Sequence, residues 1–400
     1  MPWKELSTMN LKLEFVMKSF EKPCNFTELC TEYGISTKTG YKWKERFLQY
    51  GMPGLKDQSR RPRNSPQQVS EDVIFEILKI KNKRKHWGSS KILELYTESH
   101  PYENPISRAT VERILEKAGL IEKKKRRRKI NPERMQERIQ AEKPNDVWTV
   151  DFKGWWYTTK KEKCEPLTVR DEFSKFILSI KILEKGDICS VKHEFEQLFT
   201  RFGLPRYIRS DNGIPFASSM SILGLTRLSA WWMSLGIRLD RIDPGSPYQN
   251  GGHERMHRDM KNELQGKIDG DLLLHQKIFD EWRNEFNEIR PHAALNMKRP
   301  SDVYAPSERK YNGTSYDLEY PSGYKHRRIN DRGWLNYKGR RVFLSNALCG
   351  YYVGLKPSGS DSFDVWFAET MIGKIDSSTF LFDSVMSLRY ESKSKSLPMS

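Results

Sequence analysis

The 400-residue sequence has few cysteines and lacks a long apolar run. Its five cysteines are an odd number, lie far apart and include no CxxC pair, which argues against a disulfide framework and against a structural zinc site. No apolar stretch approaches the roughly 18 to 20 residues needed to cross a bilayer. The first residues, MPWKELSTMN, lack the hydrophobic region of a signal peptide. We therefore expect an intracellular protein without a membrane segment.

Acidic residues are also in deficit. The chain has 52 Asp and Glu against 69 Lys and Arg, a formal net charge of +17. The first 145 residues alone contain 31 Lys and Arg against 19 Asp and Glu. A basic excess concentrated in one region is typical of nucleic-acid binding. We expect this first third of the chain to bind DNA.

Residues 1–53 contain the pattern of a helix-turn-helix module. Asn25 or Thr27 is suited to cap one short helix, Gly34 to make a tight turn, and Ser36 to cap a second helix. A helical hairpin with a solvated basic face remains the alternative. On the helix-turn-helix interpretation, the second helix carries candidate DNA contacts at Thr37, Lys38, Lys42 and Lys44.

A second helical module is predicted at residues 70–121, between two basic linkers. The linker at 54–69 is rich in proline and arginine, and the linker at 122–145 contains KKKRRRK. Such cationic runs are either solvated connections or DNA-contacting arms, and their positions favour DNA contact. The candidate contacts are Arg60, Arg61, Arg63, Lys123, Lys124, Arg126 and Arg127.

From residue 146 the pattern changes to strands. In VWTVDF, the alternation places Trp148 and Val150 on one face and Thr149 and Asp151 on the other. Asp211 follows a short strand in YIRSDNG, and Glu254 opens a helix after the loop PGSPYQNGG. The order of hairpin strands, helix, strand, helix and strand over residues 146–304 predicts a ribonuclease-H-like mixed sheet.

The three carboxylates Asp151, Asp211 and Glu254 suggest a metal site for phosphodiester chemistry. Oxygen ligands suit Mg²⁺, which keeps open positions for water and phosphate oxygens. Each residue alone also has a structural explanation. Asp151 fits an exposed strand position, Asp211 a turn before Gly213, and Glu254 the first turn of a helix.

Five motifs in order strengthen the catalytic interpretation: TVDFKG, SDNGIPF, GSPYQNGGHERMHRDMK, FNEIRPHAAL and RPSDVY. With them, residues 146–304 resemble the catalytic core of DDE-type transposases of bacterial insertion sequences and of retroviral-type integrases. The resemblance implies that Asp151, Asp211 and Glu254 are catalytic and bind two Mg²⁺ or Mn²⁺ ions. It further implies that Lys261, two helical turns after Glu254, contacts the element's end. His257 and Arg258 share much of that helix face and are candidate phosphate contacts.

The same resemblance implies a DNA transposase. Its activity would be cleavage of the element's ends and 3′-hydroxyl strand transfer. Its partners would be the terminal inverted repeats, target DNA and further copies of the chain in a homodimer or higher oligomer. It would be located in the bacterial cytoplasm, associated with the nucleoid. Two alternatives remain open, a helix-turn-helix regulator without catalysis and a structure-selective nuclease. The intact carboxylate triad argues against the regulator, and the two DNA-binding modules would be superfluous in the nuclease.

The remaining quarter of the chain predicts a small β-rich domain. Residues 305–330 are polar and form a predicted linker, residues 331–389 show short alternating strands separated by Gly and Ser, and residues 390–400 form a predicted disordered tail. The expected fold is multidomain α/β: a ribonuclease-H-like mixed-sheet catalytic core, preceded by all-α helix-turn-helix modules and followed by a small β-barrel.

Overall fold

A computed structural model describes residues 7–57, 69–102, 105–121, 139–183, 185–218, 221–243, 247–264, 268–313, 318–359 and 361–385. The chain divides into two compact units, Met1–Ser70 and Glu71–Ser400. None of the helices in the described ranges is long and apolar enough to cross a membrane.

The first unit contains three helices, α1 (Thr8–Lys18), α2 (Phe26–Glu32) and α3 (Thr37–Tyr50). Ser36 caps α3, because its hydroxyl accepts the backbone N–H of Thr39 at 3.2 Å. Helices α2 and α3 pack closely at Gly40, where an added Cβ would lie 2.6 Å from Cys30 Sγ. The predicted helix-turn-helix arrangement of α2 and α3 is confirmed.

The second unit begins with another group of three helices, α4 (Glu71–Lys83), α5 (Ser89–Ser99) and α6 (Arg108–Lys117). Ser107 caps α6 by accepting the N–H of Thr110 at 3.2 Å. The buried apolar side chains on these helices include Ile77, Ile92 and Val111. The second helical module predicted from the sequence is therefore present.

A mixed five-stranded sheet follows. The strands of this region are β1 (Val147–Phe152), β2 (Trp156–Tyr157), β3 (Lys163–Cys164), β4 (Pro166–Asp171), β5 (Ile177–Ile182), β6 (Tyr207–Ser210) and β7 (Arg238–Arg241). The sheet order is β5-β4-β1-β6-β7, while β2 and β3 form a separate hairpin. Strand β1 pairs antiparallel with β4 and parallel with β6. This arrangement fits the predicted ribonuclease-H-like core.

Helices cover both faces of the sheet. They are α7 (Ile188–Phe202), α8 (Arg227–Ser234), α9 (Gly251–Leu264), α10 (Leu272–Glu288) and the short α11 (Pro300–Val303). Trp148 and Val150 of β1 pack in one core with side chains of α7 and α8. Met256 and Met260 of α9 pack in another core with side chains of α10 and β5. The alternation of VWTVDF thus separates an apolar face from a face directed at α9.

The α4–α6 module is attached to this core by ion pairs and ring contacts. Arg84, just after α4, pairs with Glu285 of α10 at 2.7 Å. The guanidinium of Arg290 lies 5.6 Å from the centre of the Trp87 ring. Because arginine binds both carboxylates and aromatic faces well, these contacts fix the module against α10.

The C-terminal strands are β8 (Lys325–Arg328), β9 (Trp334–Tyr337), β10 (Arg340–Phe343), β11 (Tyr352–Pro357), β12 (Ser362–Phe367), β13 (Thr370–Asp376) and β14 (Phe382–Ser384). They form a five-stranded sheet in the order β14-β13-β12-β11-β8 and a β9-β10 hairpin. The predicted barrel is not confirmed, because this sheet is open among the described residues. Its apolar side joins Leu225, Ala230 and Met233, at and before α8, in one hydrophobic core.

Candidate active site

Two of the predicted catalytic carboxylates lie at the ends of adjacent parallel strands. Asp151 is near the end of β1, and Asp211 directly follows β6. The register pairs Thr149 with Arg209, so its continuation by two residues sets Asp151 opposite Asp211. Neighbouring strands are roughly 4.8 Å apart. Parallel pairing therefore brings together two residues that are far apart in the sequence.

Glu254 approaches the same edge from α9. It lies in the first turn of that helix and is exposed. The pKa of Asp151 is raised to about 7, mainly by burial and in addition by the negative charges of Asp211 and Glu254. Asp211 and Glu254 are thus close enough for their charges to oppose the ionisation of Asp151. Among the described residues, however, no group of three or more His, Cys, Asp or Glu side chains is clustered tightly enough to hold a metal ion.

The helix that carries Glu254 is fixed to the sheet by the buried His253. Its Nδ1 lies 2.8 Å from Thr149 Oγ1, and its Nε2 lies 2.6 Å from Thr168 Oγ1. Burial, followed by the charges of His257 and Arg170, lowers the pKa of His253 well below its ordinary value. A neutral imidazole therefore joins β1, β4 and α9 directly behind the carboxylates.

His257 extends this hydrogen-bond network. Its Nε2 lies 2.7 Å from the same Thr168 hydroxyl, which itself donates to the backbone carbonyl of Asp151 at 2.8 Å. One hydroxyl, that of Thr168, therefore contacts both imidazoles and the main chain of Asp151. The Nδ1 of His257 faces Asp151 Oδ2 at 3.9 Å.

The position of His257 does not suit the phosphate contact predicted from the sequence. Its side chain is 12% exposed. Burial, with the charges of Lys153 and Arg170, lowers its pKa to about 3. A neutral imidazole directed at the sheet is a poor partner for a phosphate. Arg258 and Lys261, by contrast, are exposed on α9 as a DNA contact requires.

The loop before α9 contains a hydrogen-bonded pair that the sequence analysis missed. Gln249 accepts the backbone N–H of Asp243 at 2.7 Å and donates to the Asp243 carboxylate at 2.7 Å. The side chain of Asp243 therefore has a structural role at the end of β7. The only sequence signal for this pair was that both residues flank a Gly and Pro loop.

Arg170 is a second missed residue. It lies on β4 with 3% of its side chain exposed, and it pairs with Glu172. Its guanidinium contacts the backbone of α9 at Gly252, where an added Cβ would overlap it. Residue 252 must therefore be small for α9 to approach the sheet. Burial of an arginine inside a strand rich in apolar residues gives no signal that local periodicity can detect.

Of the four DNA contacts predicted on α3, three are exposed and one is turned inward. Thr37, Lys38 and Lys42 are exposed on α3. Lys44 instead donates to the carbonyl of Ser19 at 2.9 Å, and its ammonium lies 4.8 Å from the centre of the Phe20 ring. Lys44 therefore joins α3 to the end of α1. The remaining predicted contacts lie outside the described residues; they are Arg60, Arg61, Arg63, Lys123, Lys124, Arg126 and Arg127.

Comparisons with known families agree with this architecture. Two models of an integrase core domain match residues 141–247 and 235–300. A helix-turn-helix domain matches residues 12–63, and a homeodomain-like domain matches residues 39–115. The C-terminal domain of IS481 family transposases matches residues 324–380. The region that matches the integrase core domain is therefore the region that carries the mixed sheet and the three carboxylates.

Relatives of this chain occur in bacterial insertion elements and in an endogenous retrovirus. The chain is 26% identical over 243 residues to an uncharacterised 31.7 kDa protein of insertion element IS407 from Burkholderia multivorans, covering 60% of this chain and 83% of that protein. It is 25% identical over 256 residues to an uncharacterised 39.2 kDa protein of insertion element IS476 from Xanthomonas euvesicatoria, covering 64% and 70%. A 134-residue segment is 31% identical to the Gag-Pol polyprotein of baboon endogenous virus, covering 32% of this chain and 7% of that polyprotein.

Among solved structures, the chain is similar to the catalytic core domain of BIV integrase, with 20% identity and a TM-score of 0.31, covering 40% of this chain and 93% of that one. It is also similar to the HTLV-2 integrase catalytic core domain in complex with magnesium, with 19% identity and a TM-score of 0.30, covering 42% and 100%. The family and sequence matches confirm the predicted resemblance: they support an insertion-sequence transposase with an integrase-like core.

Proposed function

We propose that this protein is a DNA transposase that binds the terminal inverted repeats of its element, cleaves the element's ends and joins the freed 3′-hydroxyls to target DNA. The observation that carries the proposal is the electrostatic coupling of Asp151 to Asp211 and Glu254, with the pKa of Asp151 raised to about 7. A carboxylate whose pKa is strongly raised by burial and by neighbouring charges is typical of catalytic sites.

The residues fit a pair of Mg²⁺ or Mn²⁺ ions as cofactor. All three side chains offer oxygen atoms, the donors that these ions prefer. Carboxylates that oppose one another's ionisation are stabilised in the charged form by a cation between them. Bound divalent ions would supply positive charge to the attacking and leaving oxygens at phosphorus.

The protein's own residues would orient this chemistry. Asp151 and Asp211 project from paired strands, so the sheet fixes their spacing. Glu254 is set by the packing of α9, which His253 joins to Thr149 and Thr168. Arg258 and Lys261 on α9 would hold phosphates of the element's end, and Thr37, Lys38 and Lys42 would contact DNA from the first unit.

A second part of the proposal concerns assembly. Joining two element ends to one target requires that both ends be held together, so we propose that the chain acts as a homodimer or higher oligomer. Mass measurement of the complex with paired ends tests this: two or more chains per complex are expected, and a single chain holding both ends would contradict it.

A strand-transfer assay tests the activity. Purified protein is mixed with a labelled duplex carrying the DNA that flanks its gene, a plasmid target, and Mg²⁺ or Mn²⁺. We expect joined products only with metal ion, and we expect Asp151→Asn, Asp211→Asn and Glu254→Gln each to abolish them while DNA affinity is retained, because dispersed phosphate contacts dominate affinity.

The matched control is Glu288→Gln, the same substitution at an exposed position of α10, which should retain activity. Full activity in the three site variants would refute the assignment of the site. Binding without any cleavage or joining by the unsubstituted protein, with complete ends, would favour a DNA-binding regulator instead.

A further inference from the structure

The segment that joins α4 to α5 is basic and has a fixed shape. Residues 82–86, here called the basic loop, read NKRKH. The side chain of Lys81, in the last turn of α4, is buried, and its ammonium donates to the carbonyls of Lys85 at 2.7 Å and Trp87 at 3.0 Å. Because a buried ammonium requires hydrogen-bond acceptors, these two bonds hold the backbone of the loop around Lys81.

Two further side chains of this segment turn inward, and two lysines turn outward. Arg84 pairs with Glu285 of α10 at 2.7 Å, and Trp87 is 3% exposed. Lys83 and Lys85 are exposed, and within the described ranges neither ammonium has an ion-pair partner. The fold therefore presents two unpaired cations to solvent on a backbone that is held from within.

The basic loop borders the end of α9. Residues 82–86 line one cleft with Glu263 of α9 and Glu285 of α10. Both glutamates are already paired, Glu285 with Arg84 at 2.7 Å and Glu263 with Arg290 at 3.3 Å. The acidic side chains of this cleft therefore do not neutralise the two exposed lysines.

The exposed face of α9 connects the carboxylates to the basic loop. Successive helical residues are roughly 100° apart around the axis. Glu254, Arg258 and Lys261 therefore lie on one side of α9, and Glu263, next to the loop, lies on the opposite side. The exposed Arg255 lies between these two sides. DNA that crosses α9 from Glu254 past Arg258 and Arg255 would meet positive charge until it reaches the loop.

We propose that Lys83 and Lys85 bind two backbone phosphates of the DNA whose end lies at the carboxylates, on the far side of α9. The inference rests on the proposed function for the identity of this DNA, and it adds a surface that holds the DNA away from the site of cleavage. Lysines that contact phosphates do not read bases. The loop would therefore add affinity and fix the direction of the duplex without selecting its sequence.

Equilibrium binding of a fluorescent duplex to the full chain tests the proposal, without divalent ions so that no cleavage is needed. The duplex carries the DNA that flanks the gene, and its affinity is measured by anisotropy at several salt concentrations. Log affinity falls linearly with log salt, with a slope of about 0.9 for each phosphate contact. We expect K83M/K85M to reduce this slope by about 2, and K83R/K85R to preserve it. The matched control K181M/K185M, at two exposed lysines of the same unit, should leave the slope unchanged.

A second measurement locates the contacts on the DNA. Ethylation interference maps the phosphates of the same duplex whose ethylation weakens binding. The unsubstituted protein should show two such phosphates that no longer matter in K83M/K85M. They should lie within about 10 base pairs of the element's end, since α9 is only about 10 Å across and one turn of DNA is about 34 Å long.

An unchanged slope or an unchanged interference pattern in K83M/K85M overturns the proposal, and so does an equal loss in K181M/K185M. These outcomes are separate from the proposed activity. Strand transfer by a protein whose salt slope does not depend on the loop would refute only the loop contact. Loss of two contacts in K83M/K85M, with no strand transfer by the unsubstituted protein, would refute only the transposase.

Discussion

His253 Nε2 and Thr168 Oγ1 are joined by a 2.6 Å hydrogen bond, and Thr168 is the residue directly opposite Asp151 in the β1–β4 ladder. One imidazole thus fixes the helix of one proposed catalytic carboxylate to the strands that carry and flank another. This bond holds the start of α9, while Arg290 holds its later turns by pairing with Asp259 at 2.8 Å and with Glu263 at 3.3 Å.

We expect His253→Ala to destabilise the second unit by about 2 to 4 kcal/mol, because it removes a buried side chain together with its hydrogen bonds to the hydroxyls of Thr149 and Thr168. Urea unfolding followed by tryptophan fluorescence measures the change. Arg255→Ala, at an exposed position of the same helix, is the control and should leave the unfolding midpoint unchanged. Equal midpoints for the two variants would contradict the role of His253.

The stability of the metal-free protein should depend on Asp151 in a defined pH window. Its pKa is raised from 3.8 to about 7 on folding, so the folded state binds this proton more tightly than the unfolded state. Its contribution is therefore fully present below pH ~4 and is lost as the pH rises through about 7. Asp151→Asn should unfold at a higher temperature than the unsubstituted protein at pH 8, with the difference shrinking toward pH 4.

Asp269→Asn, an exposed carboxylate of the same unit, is the control for that experiment. It should give no pH-dependent difference in melting temperature. If Asp151→Asn and the unsubstituted protein melt at the same temperature at every pH, the pKa of Asp151 is not raised on folding.

Divalent metal should reverse the repulsion among the carboxylates. A ligand that binds only the folded state stabilises it by RT ln(1 + [L]/Kd), or about 2.7 kcal/mol at 100 times Kd. We expect Mg²⁺ to raise the melting temperature of the unsubstituted protein, and the rise to be lost in Asp211→Asn and Glu254→Gln but kept in Glu288→Gln. A rise of the same size in every variant would indicate binding elsewhere.

The close approach of α2 and α3 predicts that Gly40→Ala destabilises the first unit. An added Cβ would lie 2.6 Å from Cys30 Sγ and 2.9 Å from Phe15 Cζ, distances that force the helices apart. Overpacking of this kind costs about 1 to 3 kcal/mol. Gly88→Ala is the matched control, since an added Cβ there meets nothing within 4 Å. Gly40→Ala should lower both the melting temperature and the DNA affinity at low salt, whereas Gly88→Ala should lower neither.

The sequence predicted the features that local pattern controls. The alternation in VWTVDF assigned Trp148 and Val150 to a core and Thr149 to the opposite face, and Ser36 correctly marked the start of α3. Side-chain direction was harder to predict. Lys44 and His257 belong to residue types that favour solvent or phosphate, yet both turn inward to make a specific hydrogen bond.

Long-range geometry was the other limit. The partnership of Gln249 with Asp243 and the contact of Arg170 with Gly252 depend on how a loop returns to the sheet, which spacing alone does not specify. The prediction of a closed barrel was not confirmed for the same reason. Alternating strands predict a sheet, but closure depends on pairing between the first and last strands, and β8 and β14 instead form the two edges.

The apolar side of the C-terminal sheet shares its core with Leu225, Ala230 and Met233 of the integrase-like domain. The C-terminal sheet and the integrase-like domain therefore cannot be exchanged independently of each other. A chain shortened to residue 304 would expose this apolar surface to solvent, and we expect such a fragment to aggregate. Polar substitutions at these three positions should make the fragment soluble. In evolution, the C-terminal sheet and α8 would have to change together.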